Sequence, residues 1–238
     1  MELYSWISMG MVRERTRSMN QTSTLTIENP LLGIWERVWG IDWKTGVNLP
    51  WMEKLDLENK AWGLSGGDMM SHYRDKRRHT YSWAVPTPEA LELIASYAPI
   101  VEIGAGSGYW ASILRDMGVK IRAYDRHPLS GQVENHWHMY GNPTPWTNVA
   151  KGGPSKAGRY ADHALFLCWP PMSSMAHDSF KNYMEAGGET LIYVGEGMGG
   201  CTADDNFHIL TEEWHVEKTV NIPQWAGIHD YLSVYKRR

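Results

Sequence analysis

The chain has 238 residues and a mass of 27.2 kDa, which suits one sizeable domain or a domain with an appendage. Its 42% hydrophobic and 21% charged residues are the balance of a soluble globular protein and exclude disorder along the whole length. A net charge of −4 excludes a protein that coats nucleic acid by charge alone, and only two cysteines, Cys168 and Cys201, exclude a disulfide framework.

Residues 13–26 are polar and read as a loop or a frayed helix. Leu31, Leu32, Ile34, Trp35, Val38 and Trp39 then have the spacing of a short amphipathic helix, before Gly66-Gly67 breaks the pattern. A basic run follows at Arg74-Asp75-Lys76-Arg77-Arg78-His79. Seven of the 13 Trp fall before residue 84, against only 3 Phe in the chain, which suits either a Trp-rich core or an aromatic-lined pocket.

From residue 86 the pattern is regular. Thr87 and Pro88 suit the N-cap and first position of a helix through Ile94. Ile100–Ile103 reads as a buried strand, Tyr109–Met117 as a helix ended by Gly118, and Val119–Tyr124 as a second strand closed by Asp125. Residues 129–140 allow another helix and Trp146–Val149 a weak third strand. Ala164–Cys168 (strand), Ser173–Ala186 (helix) and Thr190–Val194 (strand) follow, and Asp204-Asp205 begin a helix at its positive dipole end. The last strands, Val216–Ile222 and Tyr231–Tyr235, have no helix between them and must be antiparallel. The expected fold is therefore α/β: a doubly wound, mostly parallel sheet with an antiparallel C-terminal pair over 84–238, and a Trp-rich helical extension or lid over 1–83.

The most informative stretch is Glu102-Ile103-Gly104-Ala105-Gly106-Ser107-Gly108, where a strand runs through glycines into a helix. Glycines let a ligand approach the backbone, and the helix start offers free N–H groups. Asp125 lies 21 residues after Gly104, at the end of the second strand, where an acid can grip the hydroxyls of an adenosine ribose. A dinucleotide fingerprint would need glycine at 109, which is Tyr109.

This G-x-G-x-G turn, with Glu102 before it, Asp125 after it and the antiparallel tail, resembles the S-adenosylmethionine-dependent methyltransferases of the Rossmann-like class over about residues 86–238. The resemblance implies a cofactor site of S-adenosyl-L-methionine at Gly104, Ala105, Gly106, Gly108 and Tyr109. In it Glu102 orients the amino group, Asp125 holds the ribose, Arg126 or His127 lies at the adenine edge, and Trp83 with Tyr81 forms a lid. Cys168-Trp169-Pro170-Pro171-Met172 resembles, in position, the Asp/Asn/Ser-Pro-Pro-aromatic loop of amino methyltransferases acting on nucleobases or protein amides. It departs at Trp169, whose indole only donates, and at Met172. Trp83-Ala84-Val85-Pro86, Gly108-Tyr109-Trp110 and the Trp-Pro-Pro loop also resemble methyltransferase-like sequences of unassigned substrate.

Cys168, Trp169, Pro170 and Pro171 are thus the candidate catalytic residues, with Glu196, His177 and Asp178 as candidate bases. His136-x-His138 lacks partners at metal-ligand spacing and reads as surface or polar-core histidine, so no metal is expected. The expected acceptor is a nucleobase or other planar nitrogen compound, which leaves nucleic acid open as a partner through the basic run. A small metabolite, or a non-catalytic binding protein on the same fold, is the alternative. No apolar run is long enough to cross a bilayer, and Glu2 stands where a signal peptide carries positive charge, so a cytoplasmic setting without membrane contact is expected.

Overall fold

The apolar runs form seven strands: β1 (Ile100–Ile103), β2 (Ile121–Asp125), β3 (Ala150–Lys151), β4 (Ala164–Cys168), β5 (Thr190–Gly195), β6 (His215–Asn221) and β7 (Tyr231–Lys236). They pair in the order β3-β2-β1-β4-β5-β7-β6 in a computed structural model that describes residues 28–47, 74–75, 77–130, 135–138 and 144–238. The polar stretch 13–26, the break at Gly66-Gly67 and Lys76 lie outside the described residues. The first five strands are parallel, while β7 runs antiparallel to both β5 and β6, as the missing crossover requires.

Side-chain alternation divides the sheet into two buried faces. Ile100, Phe166, Ile192 and Val194 face α1 (Pro30–Trp39), α2 (Pro88–Ala95) and α3 (Tyr109–Asp116). Val101, Ile103, Leu165, Leu167 and Tyr193 face α4 (Met175–Glu185), α5 (Asp205–Thr211) and the 3-10 turn Pro154–Arg159. The same period places Glu102 and Cys168 on the first face, at the C-terminal ends of neighbouring strands.

The caps follow the sequence. The Thr87 hydroxyl accepts from Ala90 N–H at 3.1 Å, and the Asp204 carboxylate accepts from Phe207 N–H at 3.0 Å. In α1, Leu31, Trp35 and Val38 form one buried stripe that joins the core of the first face. Trp35 Nε1 donates to the Gln224 carbonyl at 3.0 Å, and the Tyr109 hydroxyl accepts from Leu31 N–H at 3.1 Å.

Two expected elements differ. In place of a helix over 129–140, the described residues hold only the 3-10 turn His136–His138. The third strand is the two-residue β3 rather than Trp146–Val149. Trp146 N–H instead donates to the Ser107 carbonyl at 2.9 Å, and Thr147 and Val149 pack against Gly108. Those residues brace the start of α3 and cannot also extend the sheet edge.

Candidate functional site

Strand order reverses between β1 and β4, and there the C-terminal strand ends open on a crevice of about 660 Å³. The glycine-rich turn forms one wall, the Cys168–Ser174 loop another, and Tyr81–Trp83 a third. Asp125–His127 and Gly152–Pro154 close the end beyond β2.

Glu102 lies on the crevice floor at 2% exposure, and its Oε2 is buried without a hydrogen-bond partner. Burial pushes its pKa up to about 8, against the pull of the Arg115 charge. Gly104, Gly106 and Gly108 all have positive φ. Gly104 and Gly106 line the crevice, whereas Gly108 does not: a Cβ there would lie 2.8 Å from Val149 Cγ2. Gly108 thus packs beneath the segment over the start of α3, apart from the crevice that Gly104 and Gly106 line. Asp125 Oδ2 accepts from Gly106 N–H at 2.9 Å, and Oδ1 accepts from His127 N–H at 2.8 Å. The acid that ends β2 is therefore held against the turn that ends β1.

The Trp-Pro-Pro loop is fixed from several sides. Trp169 has φ 51°, an unusual conformation for a bulky residue. Its N–H donates to the Val194 carbonyl at 2.7 Å, and its indole Nε1 donates to Asp230 Oδ2 at 2.8 Å. The ring stacks on Trp83 with centroids 4.9 Å apart and planes 13° apart. Asp230 is 1% exposed, its Oδ1 has no hydrogen-bond partner, and burial raises its pKa to about 7. The Pro170 carbonyl accepts from Ala203 N–H at 3.0 Å and the Pro171 carbonyl from Ser173 N–H at 2.7 Å. Cys168 lines the crevice, but burial first, and then Glu102 and Asp230, push its thiol pKa well up. That environment opposes thiolate chemistry at Cys168.

Tyr81–Trp83 is a fastened wall of the crevice. The Ser107 hydroxyl donates to the Tyr81 carbonyl, Trp146 Nε1 donates to the Thr80 carbonyl at 2.7 Å, and Trp146 stacks on Tyr81 at 5.2 Å. Arg74, Arg77 and Arg78 are half-buried rather than a solvated basic face. Arg78 Nε donates to Asp75 at 2.9 Å, and its guanidinium lies 4.2 Å from the Trp83 ring centroid.

Of the remaining expected site residues, Trp83, Ala105, Tyr109, Arg126, Trp169, Pro170 and Pro171 line the crevice. Among the candidate bases, Glu196 does not line it. Burial would raise the Glu196 pKa, but its carboxylate accepts from Cys201 and His229 N–H, each at 2.7 Å, and the net shift is downward. It is a brace between two loops. His177 and Asp178 bond each other at 3.2 Å; only Asp178 lines the crevice. The structure adds Asn135, His138 and Met175 to the crevice and Asp230 behind it. Among these, only His138 had a sequence signal, the His-x-His pair. Among the described residues, no group of three or more acidic, His or Cys side chains is placed to hold a metal, and no helix is long and apolar enough to cross a membrane.

No protein-family model and no curated protein matches the chain. Among solved structures, it is similar to magnesium protoporphyrin IX methyltransferase from Synechocystis PCC 6803 with bound S-adenosylmethionine. The identity is 10% over 79% of this chain and 92% of that one, with a TM-score of 0.45. It is also similar to a tRNA methyltransferase of B. subtilis, at 14% identity over 64% of this chain and 67% of that one, TM-score 0.35. The sheet order, with its antiparallel final pair, makes the fold a Rossmann-like α/β fold.

Proposed function

We propose that the chain is a methyltransferase that uses S-adenosyl-L-methionine. The observation that carries this reading is Glu102. A buried carboxyl oxygen without a partner costs stability, and an ammonium group laid against the glycine-rich turn would satisfy it. The residues fit the cofactor in two further respects: Gly104 and Gly106 present bare backbone to the crevice, and Asp125 Oδ2, which accepts only from Gly106 N–H, retains a lone pair for a ribose hydroxyl. When bound, the cofactor supplies an electrophilic methyl group. The chain's part is then to hold it, to align an acceptor across the crevice and to keep water out.

The Trp169-Pro170-Pro171 loop is the acceptor side in this reading, and a nucleobase or other planar nitrogen compound suits its indole wall. A nitrogen with a free lone pair needs no base for attack. One observation favours an acceptor that enters the crevice over one docked by its phosphates: Arg78 is already committed to Asp75 and Trp83. Tyr81–Trp83, at the end of the Trp-rich segment, then act as the cover of the site. Methyl transfer to the small-molecule and nucleic-acid fractions of a cell extract separates these acceptors, and cofactor binding without transfer to either would mark a non-catalytic binding protein.

Mass spectrometry of the purified chain should find S-adenosylmethionine or S-adenosylhomocysteine bound. In calorimetry, Asp125→Ala should weaken binding by about 1.5–3 kcal/mol, the range for hydrogen bonds to a charged group. Tight NADH binding with no response to S-adenosylmethionine would sink the proposal. Unchanged affinity in a folded Asp125→Ala protein would remove the ribose assignment.

A further inference from the structure

We propose that His138 is a second anchor for the ribose held at the glycine-rich turn, accepting a hydroxyl hydrogen bond through Nε2 beside Asp125. This rests on the cofactor reading above and adds a residue that the turn and the acid do not supply. His138 Nδ1 lies 3.0 Å from the His79 carbonyl oxygen. A carbonyl can only accept, so Nδ1 carries the proton and the neutral ring keeps a lone pair on Nε2. That nitrogen sits against Gly106, where a Cβ would overlap it, and the ring lines the crevice. Gly106 N–H is bonded to Asp125 Oδ2 at 2.9 Å, and Asn135 Nδ2 reaches Asp125 Oδ1 at 3.4 Å. An imidazole acceptor, a carboxylate and the bare glycine backbone therefore converge on one place, where a diol can donate one hydroxyl to each acceptor.

The charge state fits. His138 is 6% exposed, and burial holds its pKa below the ordinary imidazole value. Arg78 pushes the same way, while the bond to the His79 carbonyl and the Asp125 charge oppose it. His79 faces the ring from the same segment as Arg78, and Glu102 lies on the crevice floor. The lone pair is available at neutral pH and is lost as pH falls through the His138 pKa.

The test is calorimetric titration with S-adenosylhomocysteine and with 5′-methylthioadenosine, which keeps the ribose but lacks the amino-acid part. His138→Phe should bind both about tenfold more weakly, the loss expected for one hydrogen bond. His138→Gln, whose carbonyl can stand in for Nε2, should bind both more tightly than the Phe variant does. Between pH 8 and 5, wild-type affinity for 5′-methylthioadenosine should fall at the acid end, and both variants should lose that His-dependent fall. This probe leaves out the amine that Glu102 would face, so the Glu102 titration does not enter the comparison. A Phe variant that binds 5′-methylthioadenosine as tightly as wild type overturns the proposal, as does a loss confined to S-adenosylhomocysteine. If the Phe variant does not fold, a Gln profile that falls in parallel with wild type overturns it equally. Wild type that binds neither compound overturns the cofactor reading together with this one.

Discussion

Glu102 shows how one buried carboxyl can make the stability of the fold depend on pH. Its pKa of about 8 stands above the ordinary value of 4.5, with burial as the main cause. Between those values the folded chain keeps a proton that the unfolded chain has released. The stability this contributes is present in full below the ordinary value and is lost as pH rises through about 8. Glu102→Gln cannot ionise, so its melting temperature should fall less than that of wild type between pH 5 and 9. A gain of about 1 kcal/mol at pH 9 corresponds to about 2–4 °C for a chain of this size. Parallel pH profiles would show that Glu102 does not carry the burial penalty. Glu102 and Asp125 were legible in the sequence because both are fixed by spacing to a strand end and a glycine turn. Asp230 was not. Nothing within a few residues of it signals that its carboxylate will receive the Trp169 indole N–H, 61 positions away.

At the scale of elements, the capped helices and the buried strands were legible because their signals are local. Thr87, Asp204 and the run Ala164–Cys168 carry their own instructions. The segment 146–149 does not, since its place is set by contact with α3. Arg115 Nη1 donates to the Thr147 hydroxyl at 2.6 Å and to the Asn148 carbonyl at 2.8 Å, holding the segment along α3, while Thr147 and Val149 lie over Gly108 at its start. Gly108 sits beneath it with φ 75°, and a Cβ there would meet Thr147 and Val149. Gly108→Ala should therefore cost about 2 kcal/mol or more, from left-handed strain and overpacking together. Because Gly108 does not line the crevice, S-adenosylmethionine affinity should change little. Urea unfolding and calorimetry on the same variant check both halves. Intact stability with lost binding would return Gly108 to the cofactor site.

For the whole molecule, the mostly parallel sheet with its antiparallel final pair followed from counting strands and helices, because a missing crossover leaves only an antiparallel return. The placement of the N-terminal part was beyond such counting. Its helix α1 shares a core with β-sheet residues such as Phe166 and Leu232, and this depends on surfaces brought together from distant parts of the chain. The acidic balance of the whole chain likewise concealed how the basic run is used, since Arg78 turns inward onto Trp83.

The fastening of the glycine-rich turn has a kinetic consequence. Residues 106–109 are tied to Asp125 across 19 positions, to Tyr81 across 26 and to Asn29 across 80, as well as to Trp146. Each tie closes a loop whose entropy must be met before the contact forms, and ties of long sequence separation slow folding. The turn cannot reach its final shape until segments from both sides of it have arrived. In refolding from urea, helical circular dichroism should recover first and S-adenosylhomocysteine binding later, the delay reflecting assembly of these ties. Simultaneous recovery of both signals would mean that the turn is shaped by β1 and α3 alone. A crevice built this way is a late product of the folding route, and a ligand that binds there selects chains that have completed it.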